Sequence, residues 1–238
     1  MKKIFIKKSM KSNKNLQKDY RYEKKFVLQG IELKKIEEII KNNPSMFKEI
    51  YYERQINNIY LDTLDLRNYY ENVFGHSERI KIRIRWYGKM FGLVKNPVLE
   101  FKIKKNKLGE KKSFKLKNFI LDEKFDYPAL KKVFAESSLP SEVVETLKRV
   151  FPSLLSSYKR RYFISSDKSS RITLDYHMEF FKINKRVNLF VNKTKNNKII
   201  LELKVPYEKF EKAREITQHF PFRLSANSKY VSGIDLLS

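Results

Sequence analysis

The strongest constraint on the fold of this sequence is a strict alternation between basic and apolar side chains in several short segments. Segment 79–88 shows it most clearly, because every second position is basic: Arg79, Lys81, Arg83 and Arg85. The residues between these positions are all apolar: Ile80, Ile82, Ile84 and Trp86. Since successive side chains of a β-strand point to opposite faces, the alternation predicts a strand with one apolar face and one cationic face.

The same two-residue period recurs along the chain, in segments separated by short turn signals. Strands are predicted over segments 21–29, 55–62, 79–88, 98–105, 111–117, 157–166, 170–183, 186–192 and 198–205. Helices are predicted between them, over segments 31–41, 63–73, 128–136, 141–151 and 207–219. The expected fold class is therefore α+β, with an antiparallel sheet that closes or nearly closes and with flanking helices.

The cationic strand faces indicate an anion site. The chain carries 52 Lys and Arg residues against 27 Asp and Glu residues, a formal net charge of +25. Like charges at neighbouring strand positions repel one another, which destabilises a fold unless an anion binds between them. The plain alternative is that each charged face is the solvated side of a sheet. The repetition of Lys and Arg over at least four strands favours a polyanion: nucleic acid, an acidic membrane surface or a phosphate chain.

Three glutamates lie among these basic positions, each two residues before a lysine: Glu23, Glu100 and Glu202. Carboxylates in such a setting suit a hard divalent cation that shares its coordination with phosphate oxygens. The alternative for each glutamate is an ion pair with a facing Lys or Arg, and Glu202 is the better metal candidate. The sequence has no cysteine, which excludes thiolate metal sites and cysteine nucleophiles, and its three histidines are scattered.

The 238 residues are interpreted as one domain over residues 19–238, preceded by a basic leader over residues 1–18. The apolar run in this leader is shorter than that of a signal peptide. No segment approaches the roughly 20 apolar residues of a membrane span. These features predict a cytoplasmic protein without an integral membrane segment, and they leave open a peripheral membrane partner.

Several short motifs follow one another in a specific order, although each of them alone is weak. They are Arg21-Tyr22-Glu23-Lys24-Lys25-Phe26, Tyr60-Leu61-Asp62-Thr63, Lys81-Ile82-Arg83-Ile84-Arg85, Leu99-Glu100-Phe101-Lys102, Tyr158-Lys159-Arg160, Arg171-Ile172-Thr173-Leu174-Asp175, Leu201-Glu202-Leu203-Lys204 and Ser228-Lys229-Tyr230. This order resembles the VTC domain, the polyphosphate polymerase domain of the vacuolar transporter chaperone complex. That domain is a branch of the triphosphate tunnel metalloenzymes, or CYTH-like superfamily.

The resemblance, which spans about residues 20–235, implies a tunnel of about eight antiparallel strands. It implies a phosphotransferase that moves the γ-phosphate of ATP to a growing polyphosphate chain, with Mn²⁺ or Mg²⁺ as cofactor. The implied partners are ATP together with polyphosphate, pyrophosphate or phosphate, and no nucleic acid is expected.

The resemblance also assigns roles to individual residues. The implied catalytic residues are Lys25, Arg83, Arg85, Lys102, Arg160, Arg171 and Lys229. The expected substrate-binding residues are Lys81, Lys104, Lys112, Lys204 and Ser228, with Lys111 as the alternative to Lys112. Glu202 matches the metal-binding glutamate. The sequence departs from some relatives at Ala226-Asn227, where those relatives have a lysine two residues before the serine.

Two other functions remain open on the sequence. With water in place of a phosphate acceptor, the same site would be an inorganic or nucleoside triphosphatase. A protein of another class, a nucleic-acid or polyanion-binding module without catalysis, would use the 33 aromatic residues (14 Tyr, 18 Phe, 1 Trp) as a stacking platform. The aromatic residues fall mostly on the apolar strand faces, which favours a role in the core.

Overall fold

The computed structural model of the chain describes residues 21–106, 108–183, 190 and 193–238. This part forms eleven strands and six α-helices. The strands are β1 (Arg21–Leu28), β2 (Lys48–Asp62), β3 (Glu78–Tyr87), β4 (Gly92–Val94), β5 (Val98–Lys105), β6 (Leu108–Lys115), β7 (Phe119–Leu121), β8 (Phe151–Ile164), β9 (Arg171–Lys182), β10 (Lys193–Asn196) and β11 (Ile199–Pro206). The helices are α1 (Leu33–Lys41), α2 (Arg67–Val73), α3 (Tyr127–Glu136), α4 (Ser141–Leu147), α5 (Phe210–Thr217) and α6 (Lys229–Asp235), with a 3₁₀ helix at Tyr207–Lys209.

The predicted helices all have counterparts, and so do the predicted strands that lie in the described residues. Strands β4, β7 and β10 and helix α6 were not predicted. The predicted strand over segment 186–192 lies outside the described residues except for residue 190, and the leader over residues 1–18 lies wholly outside them.

Nine strands form one antiparallel sheet in the order β1-β11-β9-β8-β2-β3-β5-β6, with β10 paired to β9. Strands β4 and β7 form a separate pair. The large sheet curls. This is shown by a distance of 3.4 Å between Glu23 Oε2 on β1, at one end of this order, and Lys102 Nζ on β5, next to the other end. The described backbone pairs follow an open path in which β1 faces β5, the strand next to the other end. The α+β fold class with a large antiparallel sheet is confirmed.

The curl gives the sheet an outer face and a concave face. The apolar positions of the alternating strands lie on the outer face, where helices cover them. Ile82 and Ile84 of β3 are buried in one cluster with Leu130 of α3. Phe26 of β1 lies in a second cluster, which includes Ile36 of α1. Burial of apolar surface between sheet and helices stabilises the fold and leaves the cationic positions on the concave side.

Helix α6 is the exception, because it packs against the concave face at one end of the sheet. The ring of Tyr230 stacks on Tyr60 of β2 with 4.9 Å between the ring centroids. Ile234 lies in a buried cluster with Leu154 of β8 and Phe180 of β9. One end of the concave face is therefore filled by apolar side chains. None of the helices in the described part of the chain has the length and apolarity needed to cross a bilayer.

Asp62, at the end of β2, connects this helix to α2. Its carboxylate accepts hydrogen bonds from the backbone N–H groups of Asn68 and Tyr69, each at 2.9 Å, and from the Tyr230 hydroxyl. The Asp62 side chain is fully buried. A buried carboxylate with several donors is satisfied, so it fixes α2 and α6 to the end of the sheet.

Candidate active site

The register of the sheet brings most of the predicted site residues onto the concave face. Lys25 lies opposite Glu202 in the β1–β11 pair, and Lys204 lies opposite Arg171 in the β11–β9 pair. Further cross-strand neighbours on the same face are Arg160 with Asp175, Arg83 with Glu100, Lys81 with Lys102, and Arg79 with Lys104. Alternation along each strand and antiparallel register between strands therefore gather these charges in one place.

Glu100 organises the first group of cations. Its Oε2 lies 2.6 Å from Arg83 Nη2 and 3.6 Å from Arg85 Nη1, and its Oε1 lies 2.7 Å from Lys111 Nζ. Burial alone would raise the pKa of Glu100, but the charges of Arg83, Arg85 and Lys111 outweigh burial and hold this pKa at about 2. The carboxylate is thus ionised at neutral pH and fixes the position of both guanidinium groups.

Asp175 organises the second group. Its two oxygens accept hydrogen bonds from Arg160, at 2.5 Å from Nε and 2.7 Å from Nη2. Lys229 Nζ lies 2.5 Å from Asp175 Oδ2. Burial would raise the pKa of Asp175, yet Arg160 and Lys229 lower it overall. The opposite balance holds for Lys229, whose pKa is raised by Asp175 against the effect of burial.

Glu202 lies in the third group, with Lys25 Nζ at 3.8 Å and Lys204 Nζ at 3.6 Å from its Oε1. Lys204 Nζ is also 3.6 Å from Glu23 Oε1, so this ammonium lies between two carboxylates. Burial would raise the pKa of Glu202, but Lys204, Lys25 and Arg160 lower it well below its usual range.

The same group holds the donors for a divalent metal. No cluster of three His, Cys, Asp or Glu residues occurs among the described residues. The hydroxyl of Thr173, which lies opposite Glu202 on β9, is buried without a hydrogen-bond partner. Glu202, Glu23 and this hydroxyl are hard oxygen donors, and Mg²⁺ is often bound by only one or two carboxylates plus substrate phosphates. These residues fit a metal whose remaining ligands come from a bound phosphate chain.

Lys81 differs from these paired cations, because it has no ion pair or hydrogen bond among the residues that the structure describes. Burial, followed by the charges of Lys25, Lys102, Arg79 and Arg83, lowers the pKa of Lys81 to about 7. Lys81 is thus placed in a strongly positive region that a polyanion would neutralise.

Arg171 and Lys104 are exposed ends of the same cationic face. Within residues 21–106, 108–183, 190 and 193–238, neither side chain makes an ion pair or a hydrogen bond. Among the described residues, the Lys102 ammonium contacts one carboxylate, that of Glu23. These groups are accessible to an entering anion.

Lys112 is the predicted site residue that the structure places elsewhere. It lies opposite Phe101 on the outer face of the sheet and contacts Glu110 at 3.7 Å. Lys111, the alternative, lies opposite Lys102 and pairs with Glu100, so the choice of Lys112 was wrong and Lys111 shares the concave face. Ser228 is the N-cap of α6, where its Oγ accepts a hydrogen bond from the Val231 N–H at 3.4 Å.

Asp175 was not among the predicted site residues. It could have been found from strand parity, because it is four residues after Arg171. For Glu100 the structure has the ion pairs that were the alternative to metal binding. Asn58 was also missed, and its Oδ1 accepts a hydrogen bond from Arg85 Nε at 3.1 Å. The sequence could not show that Asn58 faces inward, because the polar and apolar residues of its segment do not alternate.

Comparison with known proteins gives one family match. The family model described as the VTC domain matches residues 20–238. No curated protein matches the chain. Among solved structures, the PH1819 protein from Pyrococcus horikoshii OT3 is 15% identical with a TM-score of 0.52, and the match covers 91% of this chain and 99% of that one. This similarity shows a shared fold.

Two further solved structures are similar over most of their length. A putative adenylate cyclase from Vibrio parahaemolyticus is 12% identical with a TM-score of 0.48, over 90% of this chain and 97% of that one. A putative adenylyl cyclase from Hippeastrum, described as having a dominant triphosphatase activity, is 14% identical with a TM-score of 0.48, over 90% of this chain and 94% of that one.

Proposed function

The chain belongs to the VTC domain family, and from this premise we propose that it is a polyphosphate polymerase of the triphosphate tunnel type. The proposed reaction transfers the γ-phosphate of ATP to the end of a growing polyphosphate chain and releases ADP. We propose that it occurs in the cytoplasm, inside a tunnel that the curled sheet forms by closing around the substrate.

One observation carries this proposal: buried carboxylates on the concave face each hold two or more cations in place. Glu100 holds Arg83 and Arg85, Asp175 holds Arg160 and Lys229, and Glu202 holds Lys25 and Lys204; the supporting distances lie between 2.5 and 3.8 Å. Charges that are fixed before the substrate arrives need no reorganisation during the reaction. A site built in this way suits a highly charged phosphate chain.

Phosphoryl transfer requires mainly alignment of the reacting oxygens and stabilisation of charge on the transferred group. Arg83, Arg85 and Arg160 would bind the triphosphate oxygens, because a guanidinium can donate two parallel hydrogen bonds to phosphate. Arg171, at the exposed end of the face, would complete this set. The acceptor is a terminal phosphate oxygen, which is already ionised, so the chain needs no general base.

Lysines would position the acceptor. Lys25 lies on β1 and Lys102 on β5, two strands that approach each other in the curled sheet, and the Lys229 ammonium is fixed by Asp175. A lysine acts as a compact charge without a fixed fork, which allows a polymer to move past it. A divalent metal held by Glu202 and Glu23 would neutralise charge on the phosphate oxygens when bound.

One observation favours a triphosphatase as the second candidate function. Helix α6 fills one end of the concave face with Tyr230 and Ile234. A face that is filled at one end suits a short substrate better than a long polymer that passes through. With water as nucleophile, the same cations would then serve hydrolysis of a nucleoside triphosphate or inorganic triphosphate.

A product assay separates these two functions. The purified chain is incubated with ATP and Mn²⁺, and the products are resolved by size on a gel that detects phosphate polymers. Long polymer with release of ADP supports the polymerase. Orthophosphate in equal amount to ADP, without polymer, would instead establish the triphosphatase and overturn the polymerase.

A further inference from the structure

Three tyrosines surround an arginine on the concave face, at the end away from α6. The guanidinium carbon of Arg54 lies 4.5 Å from the ring centroid of Tyr51, 5.8 Å from that of Tyr87 and 5.4 Å from that of Tyr162. The rings of Tyr51 and Tyr162 meet edge to face at 5.5 Å. We call these four residues the tyrosine collar. Along β2, Arg54 precedes Tyr60, which contacts α6, by six residues or about 20 Å.

The register places the collar on the same face as the phosphate-binding cations. Arg54 lies opposite Arg160, and Tyr51 lies opposite Tyr162, which itself lies opposite Thr173. The Arg160 guanidinium is 5.8 Å from the Tyr162 ring centroid. The register of β2 against β8 shifts between Tyr51 and Arg54, and such bulges bend a strand and redirect its side chains. The collar is therefore the immediate continuation of the cationic site.

The chemistry of the collar differs from that of the site beside it. Arg54 is exposed and makes no ion pair or hydrogen bond in the part of the chain that the structure describes. Tyr51 is 49% exposed and Tyr87 is 52% exposed, although both rings are large and partly apolar. Exposed rings can stack on a planar heteroaromatic ring, and a guanidinium without an ion pair beside them can donate hydrogen bonds to the edge of that ring.

The separation fits a nucleotide. Tyr162 follows Arg160 by two residues on β8, and two residues span about 7 Å along a strand. That is the order of the distance between the phosphates and the base in an extended nucleoside triphosphate. We propose that the tyrosine collar binds the base of a nucleoside triphosphate whose phosphates lie on Arg83, Arg85 and Arg160. This inference rests on the proposed phosphate site, and it makes the collar a specificity determinant that distinguishes nucleotides from inorganic triphosphate.

The test measures binding, not turnover, so that it is independent of the product assay. Dissociation constants for ATP and for inorganic tripolyphosphate are measured by calorimetry on the wild-type chain and on the double variant Tyr51→Ala/Tyr87→Ala. Since stacking contributes about 1–3 kcal/mol per base, the variant should bind ATP about 5- to 150-fold more weakly. Its affinity for tripolyphosphate should stay within about twofold of the wild type.

Matched controls complete the experiment. The double variant Tyr51→Phe/Tyr87→Phe keeps both rings, and it should bind ATP as the wild type does. A measurement without any variant compares ATP with ribose 5-triphosphate, which lacks the base and should bind the wild-type chain more weakly by a similar factor.

Other results would overturn the inference. If the alanine variant loses affinity for ATP and for tripolyphosphate equally, the collar acts on phosphate. If the variant keeps its affinity for both ligands, the collar does not bind the base. The same conclusion follows if ribose 5-triphosphate binds the wild-type chain as tightly as ATP does. A wild-type chain that binds ATP through the collar but forms no polymer would refute the polymerase alone.

Discussion

Single residues on the concave face fall into two chemical groups, according to whether a carboxylate holds them. Arg83, Arg160 and Lys229 are fixed by buried carboxylates and stay where the fold places them. Lys81 and Arg171 have no such partner among the described residues. The first group preorganises the site, and the second group gains its counter-charge only when an anion binds.

Glu202 is expected to be essential for metal-dependent turnover. In Glu202→Gln the side chain keeps its size, but the amide is a poor ligand for a hard cation and no longer neutralises Lys25 and Lys204. We expect kcat with Mn²⁺ to fall by about 100-fold or more. Phosphate release or polymer formation under saturating ATP measures this loss.

The matched control for that substitution is Glu145→Gln, because Glu145 lies on α4 and pairs with Lys148 at the surface. Circular dichroism should show both variants folded. Turnover that survives unchanged in Glu202→Gln would remove this glutamate from the mechanism.

Lys81 is expected to take up a proton when a polyanion binds. Its pKa of about 7 in the free chain lies far below the ordinary value of about 10.4. A bound phosphate chain favours the charged form and raises this pKa, so between pH 7 and 10 binding takes up to about one proton per site. Calorimetry of tripolyphosphate binding at pH 8, in buffers with different ionisation enthalpies, measures that number.

The variant Lys81→Met should lose this proton uptake, whereas Lys104→Met, which removes one positive charge from the same face, should keep it. The idea fails if wild type and Lys81→Met take up the same number of protons. The lowered pKa of Lys81 also determines how this residue affects the free energy of unfolding. Charged Lys81 destabilises the fold fully below about pH 7, and this destabilisation disappears as the pH rises toward the unfolded-state pKa of about 10.4.

At the scale of elements, the period-two pattern predicted the strands that carry the site, because a half-buried strand must alternate. The pattern could not predict irregularities. By sequence parity alone, His177 would share a face with Arg171 and Asp175. In the structure the β8–β9 register shifts beside it, and His177 has a positive φ of 50° and an exposed side chain. A bulge of this kind depends on tertiary packing, so it leaves no mark in alternation.

The alternation of side chains along β6 would have shown which of Lys111 and Lys112 lies on the concave face. Phe114 packs against Phe101 with 6.0 Å between ring centroids, on the outer face. Residue 112 shares the parity of residue 114, and therefore lies outside. Helix α6 was missed for a different reason: it has only seven residues and a central glycine, Gly233, which lowers helix propensity.

Gly233 is expected to be required for the packing of α6. A Cβ atom at this position would lie 2.5 Å from Leu154 Cδ2 and 2.6 Å from Phe180 Cδ1, and both neighbours are buried. Overpacking of this kind costs about 1–3 kcal/mol, so Gly233→Ala should lower the free energy of unfolding by that amount. Urea titration followed by fluorescence measures the change.

Gly109→Ala is the control for Gly233→Ala, because a Cβ atom at residue 109 would meet nothing within 4 Å. Its free energy of unfolding should be equal to or slightly above that of the wild type. Equal stability of the Gly233→Ala variant and the wild type would show that α6 does not pack as described.

At the scale of the whole molecule, the net charge of +25 was the sequence property that pointed to a polyanion. Composition alone could not say which polyanion. The order of the motifs indicated the family, and the register of the sheet shows that Lys and Arg from distant segments share one face with four carboxylates, Glu23, Glu100, Asp175 and Glu202. What remained beyond the sequence is the pairing between those charges, since it depends on strand register and on the bulges.

Tripolyphosphate is expected to stabilise the folded chain. A ligand that binds only the folded state at 100 times its dissociation constant contributes about 2.7 kcal/mol. For a chain of this size the melting temperature should rise by about 5–10 °C. Differential scanning fluorimetry measures the shift.

Sodium chloride at the same ionic strength is the control for tripolyphosphate, and it should give little or no rise. The variant Arg171→Gln should show a smaller rise in melting temperature with tripolyphosphate. Without tripolyphosphate its melting temperature should equal that of the wild type, because Arg171 is exposed and has no ion pair or hydrogen bond in the described residues. A rise that sodium chloride reproduces would show that the stabilisation is not site-specific.

The contact between Lys102 and Glu23 has a mechanical consequence. In the described residues, β1 at one end of the large sheet approaches β5, the strand next to the other end, through these side chains at 3.4 Å, and no backbone pairing joins β1 to β5 or β6. The Lys102 side chain is 58% exposed, so dissolved ions weaken this contact. The approach of β1 to β5 therefore rests on a weak contact, and the gap between these two strands should widen as ionic strength increases while the backbone-paired strands keep their spacing.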